Sequence, residues 1–218
     1  MAREPQIKIK IQLLAEGNTE VNYFKSLRMK ENLKISYKEV NVRGGGYLNF
    51  LRQIKKESDL GYLAKVILLD YDLARENGGE KKNFKTLLEY CIEKNRHGRI
   101  PYILIVNNYD FEYFACLHSS KYNNQDTSQF IIDTYKYKSI EDYKGDEGIY
   151  DKLNSNGNSY QHAINILNEQ KKKTVISNDC ELTEKRSIPI IKNKQIIYVP
   201  EADTYKNSNI LDFLNLIL

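Results

Sequence analysis

The chain has no tryptophan, only three cysteines in 218 residues, and no apolar run near the ~20 residues needed to span a bilayer. Each shortage excludes something. Cys91, Cys116 and Cys180 are odd in number and widely spaced, which argues against a disulfide framework and against a zinc motif of the C-x-x-C kind. The opening "MAREPQIKIKI" enters strand pattern without the charged, apolar and cleavage regions of a signal peptide, so a cytoplasmic location with no membrane attachment is expected. A Gly-x-Ser-x-Gly elbow, a Walker spacing and a Cys and His pair at a known spacing are also missing. Covalent nucleophilic catalysis and P-loop ATP binding therefore have no support.

What is present is balanced. Thirty-three Lys and Arg against 29 acids give a net charge of +4, which permits an acidic partner such as nucleic acid without requiring one. Hydrophobic content of 41% and charged content of 28% fit one ordinary buried core. The 17 tyrosines are unusual; they could offer base-stacking surfaces or reflect only a biased composition.

Periodicity gives the architecture. "IKIKIQLL" (7–14), "ISYKEVNV" (35–42), "AKVILLDYD" (64–72) and "YILIVNN" (102–108) read as strands, each followed by a helical pattern. Four such rounds predict an α/β fold with a mostly parallel, four-stranded, Rossmann-like sheet flanked by helices. Residues 1–118 would form this core. Residues 119–218, polar and interrupted up to 160, would form a mainly helical or irregular appendage whose apolar C-terminal helix, "NILDFLNLIL", docks on the core. Thr19 is the expected cap of the first helix. "RGGG" at 43–46 reads as a turn, with a phosphate cradle as the alternative.

In such sheets ligands bind beyond the carboxyl ends of the strands, where Glu16, Asp70, Asp72, Asn108 and Glu112 fall. Asp70 and Asp72 form an Asp-x-Asp whose alternation places both side chains on one side. Two like charges facing one way suit a hard cation such as Mg²⁺, which takes oxygen ligands. The competing reading is a solvated strand end with Asp72 capping a turn. Glu16 and Glu20 are likewise explained either by a helix N-terminus or by the same anionic rim. Glu112 belongs to the rim or to the solvated face of its helix, and His118 reads as a core histidine before a ligand. The runs Lys171–Lys173 and Lys192 with Lys194 read as solvated faces, with phosphate contact as the alternative.

The pattern Glu16, Gly17, Thr19, Glu20, Tyr23, Phe24 resembles the Glu-Gly-x-Thr-Glu-x-x-Tyr-Phe motif of the RloB-like family, Toprim-related proteins encoded beside bacterial restriction and abortive-infection genes. Asp70 and Asp72 match that family's strand-end pair. Asn108, Phe111, Glu112 and His118 are similar to its third motif, with Tyr109 in place of a proline and Phe114 in place of a tryptophan. The resemblance covers most of the chain and implies a Toprim-like core. It implies catalytic roles for Glu16, Glu20, Asp70, Asp72 and Glu112, with one or two Mg²⁺ (or Mn²⁺) ions held by Glu16, Asp70 and Asp72. Two functions follow as expectations: a metal-dependent nuclease acting on DNA or RNA in anti-phage defence, or a regulatory or effector subunit beside an ABC-type ATPase. A homodimer is compatible with either.

Overall fold

The computed structural model describes residues 9–33, 35–42, 45–185 and 188–218. Ile7 and Lys8 of the first expected strand, and Arg43 and Gly44 of the glycine turn, lie outside the described residues.

The first four strands are β1 (Ile9–Ala15), β2 (Ile35–Asn41), β3 (Ala64–Asp70) and β4 (Tyr102–Asn108). Between them come α1 (Asn18–Lys30), α2 (Gly46–Lys56), and then α3 (Asp72–Glu76) with α4 (Gly78–His97). The four strands are parallel, in the order β2-β1-β3-β4. Strand alternation divides the core in two. Leu13, Ala15, Val66, Leu68, Ile103 and Ile105 pack on one face with α1, while Leu14, Ile67, Leu69, Leu104 and Val106 pack on the other with α2 and α4. Because both faces of β4 are covered, all seven of its residues are buried, which is why Tyr102–Val106 is an unbroken apolar run before Asn107 and Asn108.

The second half of the chain builds onto this core. It contains α5 (Phe111–Cys116), α6 (Thr127–Tyr135), α7 (Ile140–Lys144), α8 (Ile149–Leu153) and α9 (Tyr160–Gln170), then strands β5 (Ile176–Lys185), β6 (Ile188–Tyr198) and β7 (Asn207–Ser208), and finally α10 (Ile210–Ile217). Phe130, Ile131, Tyr143, Tyr150 and Leu153 join the same apolar cluster as α1, and Phe213 of α10 packs at 5.3 Å from Phe24. Most tyrosines serve this core, among them Tyr23, Tyr71, Tyr102, Tyr113 and Tyr143.

Three expectations need correction. The sheet has five strands, because the two residues of β7 pair antiparallel with Asn107 and Asn108. The C-terminal part is less helical than expected: β5 and β6 form a long antiparallel hairpin. Its first strand is hard to read because an inward position is polar; the buried Asn178 side chain accepts from Leu104 N–H (3.0 Å) and donates to Leu104 O (2.8 Å). Asn209 likewise accepts from Val106 N–H (2.7 Å), so amide side chains continue the ladder along the open edge of β4. Third, Thr19 does not cap α1. Gly17 is the N-cap and the Thr19 hydroxyl donates instead to Lys144 O at 3.3 Å, joining α1 to the end of α7.

The described part of the glycine turn shows why glycine is needed. Gly45 and Gly46 have φ of 88° and 75°, and a Cβ at Gly46 would lie 2.8 Å from Glu80 Oε2. That carboxylate accepts from Tyr47 N–H at 3.1 Å, so the N-terminus of α2 already has an internal anion.

Candidate active site

The order β2-β1-β3-β4 reverses its winding between β1 and β3, and ligands of open α/β sheets bind in the crevice at that switch. Glu16 immediately follows β1 and Asp70 ends β3, so the two acids flank it. Glu16 Oε2 accepts from the Asp70 N–H at 3.5 Å, across the gap between the strands. Asn107, the register partner of Asp70 on β4, donates its side-chain amide to Asp70 Oδ1 at 3.1 Å and holds that carboxyl in place. From α2, the Tyr47 hydroxyl donates to Asp70 O at 2.8 Å and accepts from Ala74 N–H at 3.3 Å, which fixes the turn between β3 and α3.

Asp72 does not lie on the strand. β3 ends at Asp70 and the chain turns at Tyr71, so strand alternation does not set the direction of Asp72, which instead opens α3. Its Oδ1 accepts from Leu73 N–H at 2.6 Å, while its charge is felt by Glu16, Asp110 and Tyr47. Glu20 is buried and folds back over the start of its own helix, accepting from the backbone N–H groups of Gly17 and Glu20. This is the return half of a capping box with glycine as N-cap. Glu112, expected either on the rim or on a solvated face, is 5% exposed and pairs with Lys144 Nζ at 3.2 Å. Asn108 turns away from the acids, donating to the carbonyls of Ala202 (3.2 Å) and Asp203 (3.3 Å), and to that of Tyr205.

These side chains perturb one another. Burial lifts Glu20 to about 7, and the charges of Glu112 and Glu16 add to the shift. Burial also holds Asp70 well above the usual carboxylate range, reinforced by Glu20, Glu112 and Glu16. Glu16 is raised by burial against the lowering effect of the Asp70 N–H, and Asp110, the N-cap of α5, is pushed by burial and by Glu112 to about 6. Partial burial works against the Lys144 ammonium, but Glu112, Asp70 and Asp110 outweigh it and raise its pKa.

Sequence reasoning missed Lys144, Asp110 and Asn107. Asp110 had a signal, an acid one residue before a helical run. Lys144 had none, because α7 reaches the site only through contacts such as that with Thr19, 125 residues away in sequence. His118 is fully buried: its Nδ1–H donates to Phe114 O (3.1 Å), Tyr23 O–H donates to Nε2 (2.9 Å), and burial depresses it to about 4. It is a neutral core histidine.

The class defined so far is an open, mostly parallel α/β sheet with an acidic cluster at its carboxyl edge. Comparison with family models, curated proteins and solved structures finds no match.

Proposed function

We propose that the chain is a metal-dependent nuclease with a Toprim-like core, hydrolysing DNA or RNA phosphodiesters in a bacterial anti-phage or restriction-linked system. One observation carries this reading. Glu16, Glu20, Asp70, Asp72, Asp110 and Glu112 gather at the switch point, with Lys144 as the nearby cation and several carboxyls raised by burial and mutual repulsion. Clefts where burial and like charges shift several carboxyls together are where functional sites concentrate.

The donor set fits a hard divalent ion: it is all carboxylate oxygen, and Mg²⁺ commonly keeps several waters and takes only one or two carboxylates directly. Glu16 and Asp70, with Asp72 beside them, would hold Mg²⁺ or Mn²⁺. Once bound, such an ion would activate water and stabilise charge on the phosphoryl oxygens. The chain's own contributions are distinct. Asn107 orients Asp70, Glu20 near neutrality exchanges a proton with solvent or a leaving oxygen, and Lys144 offers an ammonium to a phosphate once its bond to Glu112 opens. The test is incubation of the purified chain with Mg²⁺ or Mn²⁺ and labelled DNA or RNA. Cleavage lost in Asp70→Asn and Glu16→Gln supports the reading, and an inert wild type defeats it.

A specific observation favours a second reading. Among the described residues no three His, Cys, Asp or Glu side chains are placed to hold one ion, and Lys144 already neutralises Glu112. A regulatory or effector subunit, bound to an ABC-type ATPase, fits that arrangement. A melting temperature indifferent to millimolar Mn²⁺, together with no cleavage, would favour it.

A further inference from the structure

A chain of alternating cations and aromatic rings leads away from the acidic edge. Tyr109 directly precedes Asp110, and Arg75 belongs to α3, the helix that Asp72 opens. The Arg75 guanidinium lies 3.4 Å from the centroid of the Tyr109 ring. Lys206 Nζ is 5.8 Å from the centroids of both Tyr109 and Tyr122, and it donates to the Tyr122 hydroxyl at 3.1 Å. The next residue back, Tyr205, is 55% exposed, and Lys173 Nζ stands 5.8 Å from its ring centroid. Lys173, Tyr205 and Lys206 line one open cavity of about 320 Å³.

One feature separates this strip from an ordinary solvated surface: tyrosine is otherwise mostly a core residue here, yet Tyr205 is exposed with the Lys173 ammonium beside its ring. Like most lysines and arginines among the described residues, Arg75, Lys173 and Lys206 form no ion pair, so their charge is open to a phosphate.

The geometry points to a binding strip for single-stranded nucleic acid, running from Lys173 and Tyr205 through Lys206, Tyr122 and Tyr109 to Arg75 at the acidic edge. Cations spaced between rings match a phosphate backbone whose bases are free to stack, and a duplex keeps its base faces buried. The strip names a substrate class for the proposed nuclease and rests on that reading for its purpose. Binding itself requires no cleavage.

The test is fluorescence anisotropy in EDTA with oligo-dT, oligo-U and a blunt duplex, each of about 16 nucleotides. At least one single strand should bind more tightly than the duplex by about tenfold or more, and the tighter of the two single strands identifies the sugar. Lys173→Gln combined with Lys206→Gln should lower the slope of log affinity against log salt by about 1.4, at about 0.7 per phosphate contact on a single strand. Tyr205→Ala should weaken binding about tenfold. Lys206 also bonds Gln125 O, so Lys173→Gln with Tyr205→Ala, both at exposed positions, serves if the first pair melts early. No binding, a duplex bound as tightly as either single strand, or wild-type affinity in both the lysine and the tyrosine variants overturns the proposal. Because EDTA removes the metal, these results are independent of the cleavage assay with Asp70→Asn, and either reading can fail alone.

Discussion

The two edges of the parallel sheet treat buried charge in opposite ways. At the amino edge, Lys65 of β3 is fully buried yet completely partnered: Nζ donates to Glu57 O (2.8 Å) and Ile54 O (3.4 Å), and pairs with Asp59 Oδ1 (2.8 Å). Tyr102 O–H donates to the same Asp59 oxygen at 2.8 Å, and Glu57 Oε2 receives Lys38 (2.7 Å) and Gln12 (2.6 Å). Lys38 leads in lowering the Glu57 pKa. Burial alone would raise Asp59, but its bonds to Lys65 and Tyr102 bring it below the usual range. At the carboxyl edge the sign is reversed. Several acids share Lys144, and burial raises most of them. The first edge is a structural network of paired charges, whereas the second is short of positive charge, which protons or the proposed metal would supply.

Breaking the paired edge should have the largest effect. Lys65→Met leaves two carbonyls and Asp59 without their ammonium, and because Asp59 is partly solvated the expected loss is about 3 kcal/mol, read by urea denaturation. Next comes pH. Glu20 has a folded pKa of about 7 against 4.5 when unfolded, so the folded state holds the extra proton: its stabilising contribution is full below about pH 4.5 and is lost as pH rises through 7. Asp110, Asp70 and Glu16 shift the same way. Through Glu20 the metal-free protein should therefore be less stable near pH 8 than near pH 5 by roughly 2 to 3 kcal/mol, a difference that Glu20→Gln shrinks and that millimolar Mn²⁺ at the higher pH offsets.

The third test separates the edges by sign. Asp70→Asn removes a charge held unfavourably and should raise thermal stability near pH 8 by about 1 kcal/mol, while any cleavage falls at least about 100-fold. A clear loss of stability would make Asp70 a structural acid like Asp59. The smallest effect is expected from Lys144→Gln. Its side chain is 58% exposed, so screening by water limits the loss to about 0.5 to 1 kcal/mol, read as a modest shift in melting temperature near pH 8.

Much of the fold was legible because burial on both faces leaves a plain record. The apolar runs of β3 and β4 each end on polar residues, and the amphipathic spacing of Tyr47, Phe50, Leu51 and Ile54 marks α2. What could not be read lies where side chains do backbone work. Asn178 and Asn209 extend the ladder of β4, and β7 is two polar residues with no strand pattern, held by pairing with β4 and by side-chain bonds such as Ser208 Oγ–H to Asn107 Oδ1 (2.7 Å).

The sequence by itself determined that acids would follow the ends of β1, β3 and β4, since strand ends are set by local pattern and each acid sits within a few residues of one. Only the tertiary structure decided their relations. It turned Asp72 off the strand onto a helix, folded Glu20 onto its own N-terminus and buried Glu112. It also brought Lys144, at the end of α7, to face Glu112. The reason is range: pattern reports which way a chain turns over a few residues, whereas electrostatic environment depends on neighbours that only packing supplies.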